Sequence, residues 1–289
     1  MQTIGVDIGG TTIKLGCVQD GLNIIYRDRR FSPREPEQMA QAVYDMALTA
    51  RKRFPNAPVG ISCAGSIDGG GFVTAAQLGW MNAPLGGMIE ALFREPIPMD
   101  NDAMCALYAE ARYGVLKNCS AGILVTFGTG IGGGIITDNR PLRGHGGLHG
   151  EIGHMLTHAG GRQCSCGQVG CWEAYAAASV LRQMAGGMPV KEVISRVRGG
   201  ELADIWHAYL NEVALGLASL MMIFAPEIIA IGGGLSNAGD IVIDGIRQAC
   251  QATPSFQIFN PFTRIESARF QNDAGILGAA ALAEMQPVA

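Results

Sequence analysis

Three cysteines fall within eight residues, Cys164, Cys166 and Cys171 in GRQCSCGQVGCWEAY, and offer three thiolates to one metal ion. His154 or His158, just upstream in GEIGHMLTHAG, can complete a tetrahedral Cys3His zinc site. A closed set of four protein ligands has no position for a reactive water, so the metal would be structural and a zinc hydrolase is disfavoured. Glycines at 160, 161, 167 and 170 leave the intervening loop little intrinsic shape, which a metal staple would supply. Glu151 and Glu173 flank this knot, and fixed carboxylates are natural partners for sugar hydroxyls; the plainer reading makes them surface acids.

A second chemistry is written in three glycine turns. Asp7 precedes Gly9-Gly10-Thr11-Thr12, with Lys14 close behind; Gly128 to Gly134 surround Thr129 and Ile131; and Gly232-Gly233-Gly234 follows an apolar run. Glycine lets backbone N–H groups approach an anion, and hydroxyls add donors, so three such turns suit a polyphosphate. Any one alone reads equally well as a tight hairpin. Neither GxxxxGK[ST] nor a clean GxGxxG opening a helix occurs in the first turn, so a Walker loop or a Rossmann dinucleotide site fits poorly. Asp7 suits Mg2+ held largely through water between carboxylate and phosphates, or, more simply, a turn acid.

Phosphoryl transfer to a hydroxyl needs a carboxylate to accept the proton. PIPMDNDAMCALYAEA supplies Asp100, Asn101 and Asp102 between a short strand and a helix, where these residue types also serve as N-caps.

The elements that must position these groups alternate between strand and helix. IGVDI and LGCV read as a hairpin around the first glycine turn, EQMAQAVYDMALTARKRF as a helix, VGISCAG as a strand and DAMCALYAEARYG as a helix. After Cys119 the arrangement returns: AGILVTF runs into the second glycine turn and then IIT, a weak internal repeat that would set two related halves around a cleft. EVALGLASLMMIFAP is apolar all round and reads as a buried helix, Pro226 separates it from the strand EIIAIGGGLS, and NDAGILGAAALAEM reads as a helix with Asp273 near its start. Trp80 is expected to pin a loop, and His145 and His149 to line or border the cleft from another.

Composition narrows the classes. The chain has 289 residues, 48% hydrophobic and 16% charged, with net charge −4, room for two domains and no basic face for nucleic acid. Apolar stretches are interrupted before membrane-spanning length and no charged n-region opens the chain, so a cytoplasmic protein is expected. Cys17, Cys63, Cys105, Cys119 and Cys250 are scattered and read as small core hydrophobes.

Taken together, DIGGTTIK, DNDA, FGTGIGGGI, GEIGH, CSCGQVGCWE, IGGGLS and DAGILGAA resemble, in this order, the ROK family of bacterial sugar kinases and repressors. The resemblance implies an α/β, two-domain actin/hexokinase-like (ribonuclease H-like) ATPase fold with a cleft between domains. Residues 1–116 plus 275–289 would form the small domain and 117–274 the large one, with the last helix crossing back to the first domain. It implies Asp102 as the base that deprotonates the sugar 6-hydroxyl and Asn101 as a sugar ligand. Glu151, His154 and Glu173 match the sugar-binding and knot positions, His154 completing Cys164, Cys166 and Cys171. Gly9, Gly10, Thr11, Thr12 and Lys14, with Thr129, Gly130, Gly132 and Gly133, match the phosphate-binding segments, and Gly233 and Gly234 the adenosine motif.

ATP, Mg2+ and structural Zn2+ follow as cofactors, a sugar as substrate and a homodimer as the assembly, with no nucleic acid or membrane partner. Family kinases often carry Asn where Gln77 stands, so the hexose is open: glucose first, N-acetylglucosamine or N-acetylmannosamine second. Repressor members carry an N-terminal helix-turn-helix that is not expected here. The competing class is a non-catalytic sugar sensor, which would lose the base or the phosphate turns; Asp7, Asp102 and all three turns are present.

Overall fold

The computed structural model describes residues 1–148, 150–259 and 262–285; His149, residues 260–261 and the last four residues of the expected small domain lie outside the described residues. The chain divides into two units: Met1–Lys117, Arg143–His149 and Asp273–Ala289 in the first, Asn118–Leu142 and Gly150–Asn272 in the second.

In unit 1, β1 (Gln2–Ile8), β2 (Thr12–Gln19) and β3 (Asn23–Phe31) form an antiparallel meander. Helix α1 (Pro36–Arg53) leads to β4 (Val59–Cys63), which pairs parallel to β1. Pro36 opens it where a missing N–H costs nothing, while Glu37 in its first turn and Arg51, Lys52 and Arg53 in its last match the two ends of the helix dipole. Short strands β5 (Ser66–Ile67), β6 (Val73–Ala75) and β7 (Trp80–Ala83) make a separate three-stranded sheet. Helix α2 (Leu85–Phe93) then precedes β8 (Met99–Asn101), parallel to β4, and α3 (Asp102–Tyr113). The order is β3-β2-β1-β4-β8. The central strands are apolar on both faces, while the edge strand β3 carries Arg27, Asp28, Arg29 and Arg30, charges that discourage edge pairing.

Unit 2 repeats the plan. Strands β9 (Gly122–Phe127), β10 (Ile131–Thr137) and β11 (Arg140–Pro141) are antiparallel neighbours. The knot follows, then α4 (Glu173–Ala176), α5 (Ala178–Met184), α6 (Val190–Arg198) and α7 (Ala203–Phe224). Strand β12 (Ile228–Gly232) runs parallel to β9; after α8 (Asp240–Gln251) and α9 (Pro254–Phe259), β13 (Arg264–Ser267) runs parallel to β12. The order β11-β10-β9-β12-β13 has the same strand senses as the first sheet, so the repeat heard faintly in two glycine turns is a repeat of whole topology.

Helix α7 is long and apolar enough to pass for a membrane span, yet Trp206, Tyr209, Val213, Leu217 and Met221 pack into the core of unit 2. It is not buried all round: Leu215 and Ile223 are exposed. The chain returns to unit 1 through α10 (Ala274–Glu284), whose alanines let it press onto β1, β4 and α3. At Gly278 the approach is so close that a Cβ would run into the Cys105 carbonyl.

Candidate functional site

Unit 1 presents the first glycine turn and the acidic triple. The turn closes through Gly9 N–H to Thr12 O at 3.0 Å and is buttressed by Ser32, whose hydroxyl donates to Gly9 O at 2.6 Å. The Gln77 amide lies against Gly10, its backbone carbonyl accepting from Arg34 at 2.6 Å. Trp80 pins the same loop by donating from its indole to Arg34 O at 2.6 Å. Asp7, at the end of β1, accepts from Ser62 Oγ at 2.9 Å and pairs with Lys14 Nζ at 3.3 Å. Lys14 thus sits on β2 with its ammonium already committed to Asp7.

The acidic triple divides into three jobs. Asn101 is the N-cap of α3, its Oδ1 accepting from Met104 N–H at 2.7 Å, so the capping alternative holds for this residue. Asp102 opens the helix with its side chain exposed and Oδ1 accepting from Ala103 N–H at 2.9 Å. Asp100 is buried, taking hydrogen bonds from Tyr108 Oη and Arg143 Nη2, both 2.6 Å, and from Asn101 N–H at 2.9 Å. Burial, reinforced by Asp100, pushes the Tyr108 hydroxyl well above its ordinary value, so it acts as a donor. Cys63 and Cys105 lie close by with thiols pushed up chiefly by burial, as expected of inert core residues.

In unit 2 the knot closes. One ligand atom each from His154, Cys164, Cys166 and Cys171 lies within 4.8 Å of all the others. Cys166 Sγ and Cys171 Sγ are 3.7 Å apart, and Cys164 Sγ and His154 Nδ1 3.6 Å. A tetrahedron with Zn–S of about 2.3 Å has edges of about 3.8 Å, so the donor set and its spacing both fit zinc. His154 is the histidine that lies with the three cysteines; His158 stacks on Tyr175 at 3.9 Å and turns its Nε2 toward Glu212, 3.5 Å away. Backbone N–H donation from Gln168 lowers the Cys166 thiol, and burial raises that of Cys171 to about 12. Glu151 approaches the other nitrogen of His154 at 3.8 Å and is otherwise exposed.

The second glycine turn is shorter than its sequence suggests. It spans Gly128–Gly130, and Gly132 and Gly133 already belong to β10. At Gly133 a Cβ would collide with Ile152 and come within 2.6 Å of Leu124 O, so this glycine serves packing beneath the turn. Glu173 reaches back: Oε2 accepts from Ile131 N–H at 2.8 Å and Oε1 from Ser165 Oγ at 3.1 Å. Ser179 Oγ donates to Thr129 O at 2.7 Å. Beyond β12, Gly233 lies against the Phe127 backbone, whereas nothing crowds Gly234.

Residues 3–286 match the ROK family. The chain belongs to the ROK family. It is similar to a glucokinase of Streptomyces coelicolor, 34% identical over 99% of both chains. It is also similar to an N-acetyl-D-glucosamine kinase of Pectobacterium carotovorum subsp. carotovorum, 29% identical over 96% of this chain and 97% of the other. Among solved structures it resembles the ROK family glucokinase from Streptomyces griseus in complex with glucose and AMPPNP, with TM-score 0.84 and 30% identity, covering 98% of this chain and 99% of that one. The fold is the actin/hexokinase-like two-domain α/β fold of ROK kinases.

Within this ROK chain, Asp7, Gly9–Thr12, Lys14, Asn101 and Asp102 gather in unit 1. Glu151, His154, the three cysteines, Glu173, Thr129, Gly130, Gly233 and Gly234 gather in unit 2. Arg143, Tyr108, Ser165 and Ser179 were not expected. Arg143 lies 43 residues from Asp100 along the chain and Ser179 lies 50 from Thr129, while Ser165 and Tyr108 each bond a carboxylate eight residues away, a spacing with no motif of its own.

Proposed function

We propose that this ROK protein is an ATP-dependent sugar kinase that phosphorylates the 6-hydroxyl of a hexose, with glucose as first choice. The observation that carries this reading is the Asp102 carboxylate, exposed at the first turn of α3, in a chain that matches a glucokinase over 99% of its length. The hydrogen bond from Ala103 N–H holds that carboxylate at the N-terminal end of α3. Asp102 accepts the proton of the sugar hydroxyl as that oxygen attacks the γ-phosphorus, and ADP leaves. Asn101 of unit 1 and Glu151, His154 and Glu173 of unit 2 are the residues that the family resemblance assigns to the sugar.

The turns at Gly9–Thr12 and Gly128–Gly130 contribute N–H and hydroxyl donors to the phosphates, and Gly233 and Gly234 border the adenosine. Asp7 fits Mg2+ through water better than directly, because Ser62 and Lys14 already occupy its oxygens. When bound, Mg2+ would supply positive charge against the phosphates as charge moves onto the leaving ADP. His154, Cys164, Cys166 and Cys171 would hold zinc, which would fix the segment between His154 and Glu173. A cytoplasmic homodimer completes the reading, on the strength of the family resemblance, and sedimentation of the purified chain tests the assembly.

N-Acetylglucosamine is the second acceptor, favoured by the similarity to an N-acetyl-D-glucosamine kinase. ADP release from Mg·ATP across glucose, mannose, fructose, allose, N-acetylglucosamine and N-acetylmannosamine separates the two. Glucose is expected to give the highest kcat/KM, and sugar binding without ADP release from any of them would support the sensor class instead.

A further inference from the structure

The Cys3His cluster and the second glycine turn share one side chain. Glu173 follows Cys171 by two residues and sends its carboxylate in both directions: Oε1 accepts the hydroxyl of Ser165, which stands between Cys164 and Cys166, and Oε2 accepts the N–H of Ile131, where the turn enters β10. The same oxygen fills the space a side chain at Gly130 would need, so the turn is glycine there partly to admit the carboxylate. A second contact runs in parallel. Gly153, the residue before the ligand His154, lies so close to the Ile131 carbonyl that a Cβ would overlap it. Ile131 is therefore gripped at its N–H by a residue behind the knot and at its C=O by a residue beside a knot ligand. Trp172, fully buried and edge-on to Phe127 at 5.7 Å, anchors this assembly to the sheet of unit 2.

We propose that Glu173 is a positioning residue that couples the metal knot to the nucleotide-binding turn: metal in the Cys3His cluster sets the geometry of Gly128–Ile131 through the Glu173 carboxylate and the Gly153 contact. This rests on the reading that the turn holds nucleotide phosphates. A closed metal site fixes its loop, a fixed loop fixes Ser165 and Glu173, and a fixed carboxylate holds the Ile131 amide, which orients the Thr129 and Gly130 amides toward an anion. Coupling of this kind is reciprocal, so nucleotide must in turn strengthen retention of the metal.

The test is calorimetric titration of the full chain with Mg·AMPPNP in the absence of sugar, before and after stripping zinc with a chelator, on wild type, Glu173→Ala and Glu173→Gln. Glutamine can still accept from Ile131 N–H and donate to the Ser165 hydroxyl, whereas alanine can do neither. Wild type is expected to lose affinity roughly tenfold on stripping, the scale of one charge-assisted hydrogen bond, and to regain it with zinc. Zinc-loaded Glu173→Ala should start at that weakened affinity, and Glu173→Gln should restore most of it. Saturating AMPPNP should slow zinc transfer to a chromogenic chelator in wild type. Equal AMPPNP affinity in zinc-loaded wild type and Glu173→Ala overturns the coupling even if the stripped protein unfolds. Absence of AMPPNP binding by zinc-loaded wild type overturns the kinase reading itself, and this inference with it.

Discussion

Asp100 is the least exposed acid in the DNDA stretch, at 3%, and it shows how neighbouring residues of like type take different roles. Its carboxylate ties β8, Tyr108 of α3 and Arg143 into one junction, next to the two residues assigned to the sugar and its proton. Removing Arg143 takes one guanidinium away from a buried carboxylate. Arg143→Ala should cost about 2 kcal/mol in denaturant unfolding, below the range for fully buried pairs because the arginine is half exposed. Arg143→Lys should recover part of it. Asn101 separates two jobs cleanly. Asn101→Ala should lose about 1 kcal/mol with the N-cap, whereas Asn101→Asp keeps a capping oxygen and should stay near wild-type stability. Both should raise KM for the sugar. At this scale the sequence disclosed the residue types that do chemistry but not their partners: CxC and a following Cys name a metal site without structure, while nothing near Asp100 points to Arg143.

Elements with a clear period were legible. The hairpin of β1 and β2, helices α1 and α3, strands β9 and β12, and helix α10 all follow from local pattern. The sheet of β5, β6 and β7 was not, because strands of two to four residues carry too little alternation. Gly132–Gly134 read as turn because glycine disfavours strands in general, yet at Gly133 close packing against Ile152 requires it. Likewise α7 looked buried throughout because hydropathy cannot say which face meets solvent.

Two predictions concern α10. Gly278→Ala should destabilise by about 3 kcal/mol, since neither the helix nor the Cys105 carbonyl is a flexible side chain that can step aside; thermal unfolding measures it. Arg27 donates two hydrogen bonds to Asp273 at the start of α10 and holds that carboxyl below its usual value. A depressed carboxylate contributes stability above its unfolded pKa of about 3.9 and loses it as pH falls through the folded value. Arg27→Ala should therefore cost up to about 1 kcal/mol at neutral pH, the pair being solvent-screened, and progressively less as pH falls through the folded value.

At the scale of the molecule, two sheets with one strand order and one set of senses explain why glycine turns recur at the same topological point, after the central strand of each. The sequence hinted at this through two turns only, since the strands around them share pattern and not residues. The excursion of Arg143–His149 into unit 1 was invisible, because a seven-residue loop carries no periodic signal of where it docks. Zinc belongs to this scale as well. Elemental analysis should find close to one zinc per chain from the Cys3His cluster, Cys166→Ser should lose most of it, and chelation should lower the melting temperature of wild type but barely that of the variant.

The most direct test of the central claim is the product of the reaction in wild type and Asp102→Asn, followed by phosphorus NMR with Mg·ATP and glucose. Wild type should form glucose 6-phosphate. The variant should form it roughly 10²–10⁴-fold more slowly, with AMPPNP affinity near that of wild type, as expected when a general base is removed and the binding turns are left intact. A variant that turns over within tenfold of wild type, or a wild type whose product is phosphorylated at another hydroxyl, would contradict the assignment of Asp102 as the base for the 6-hydroxyl.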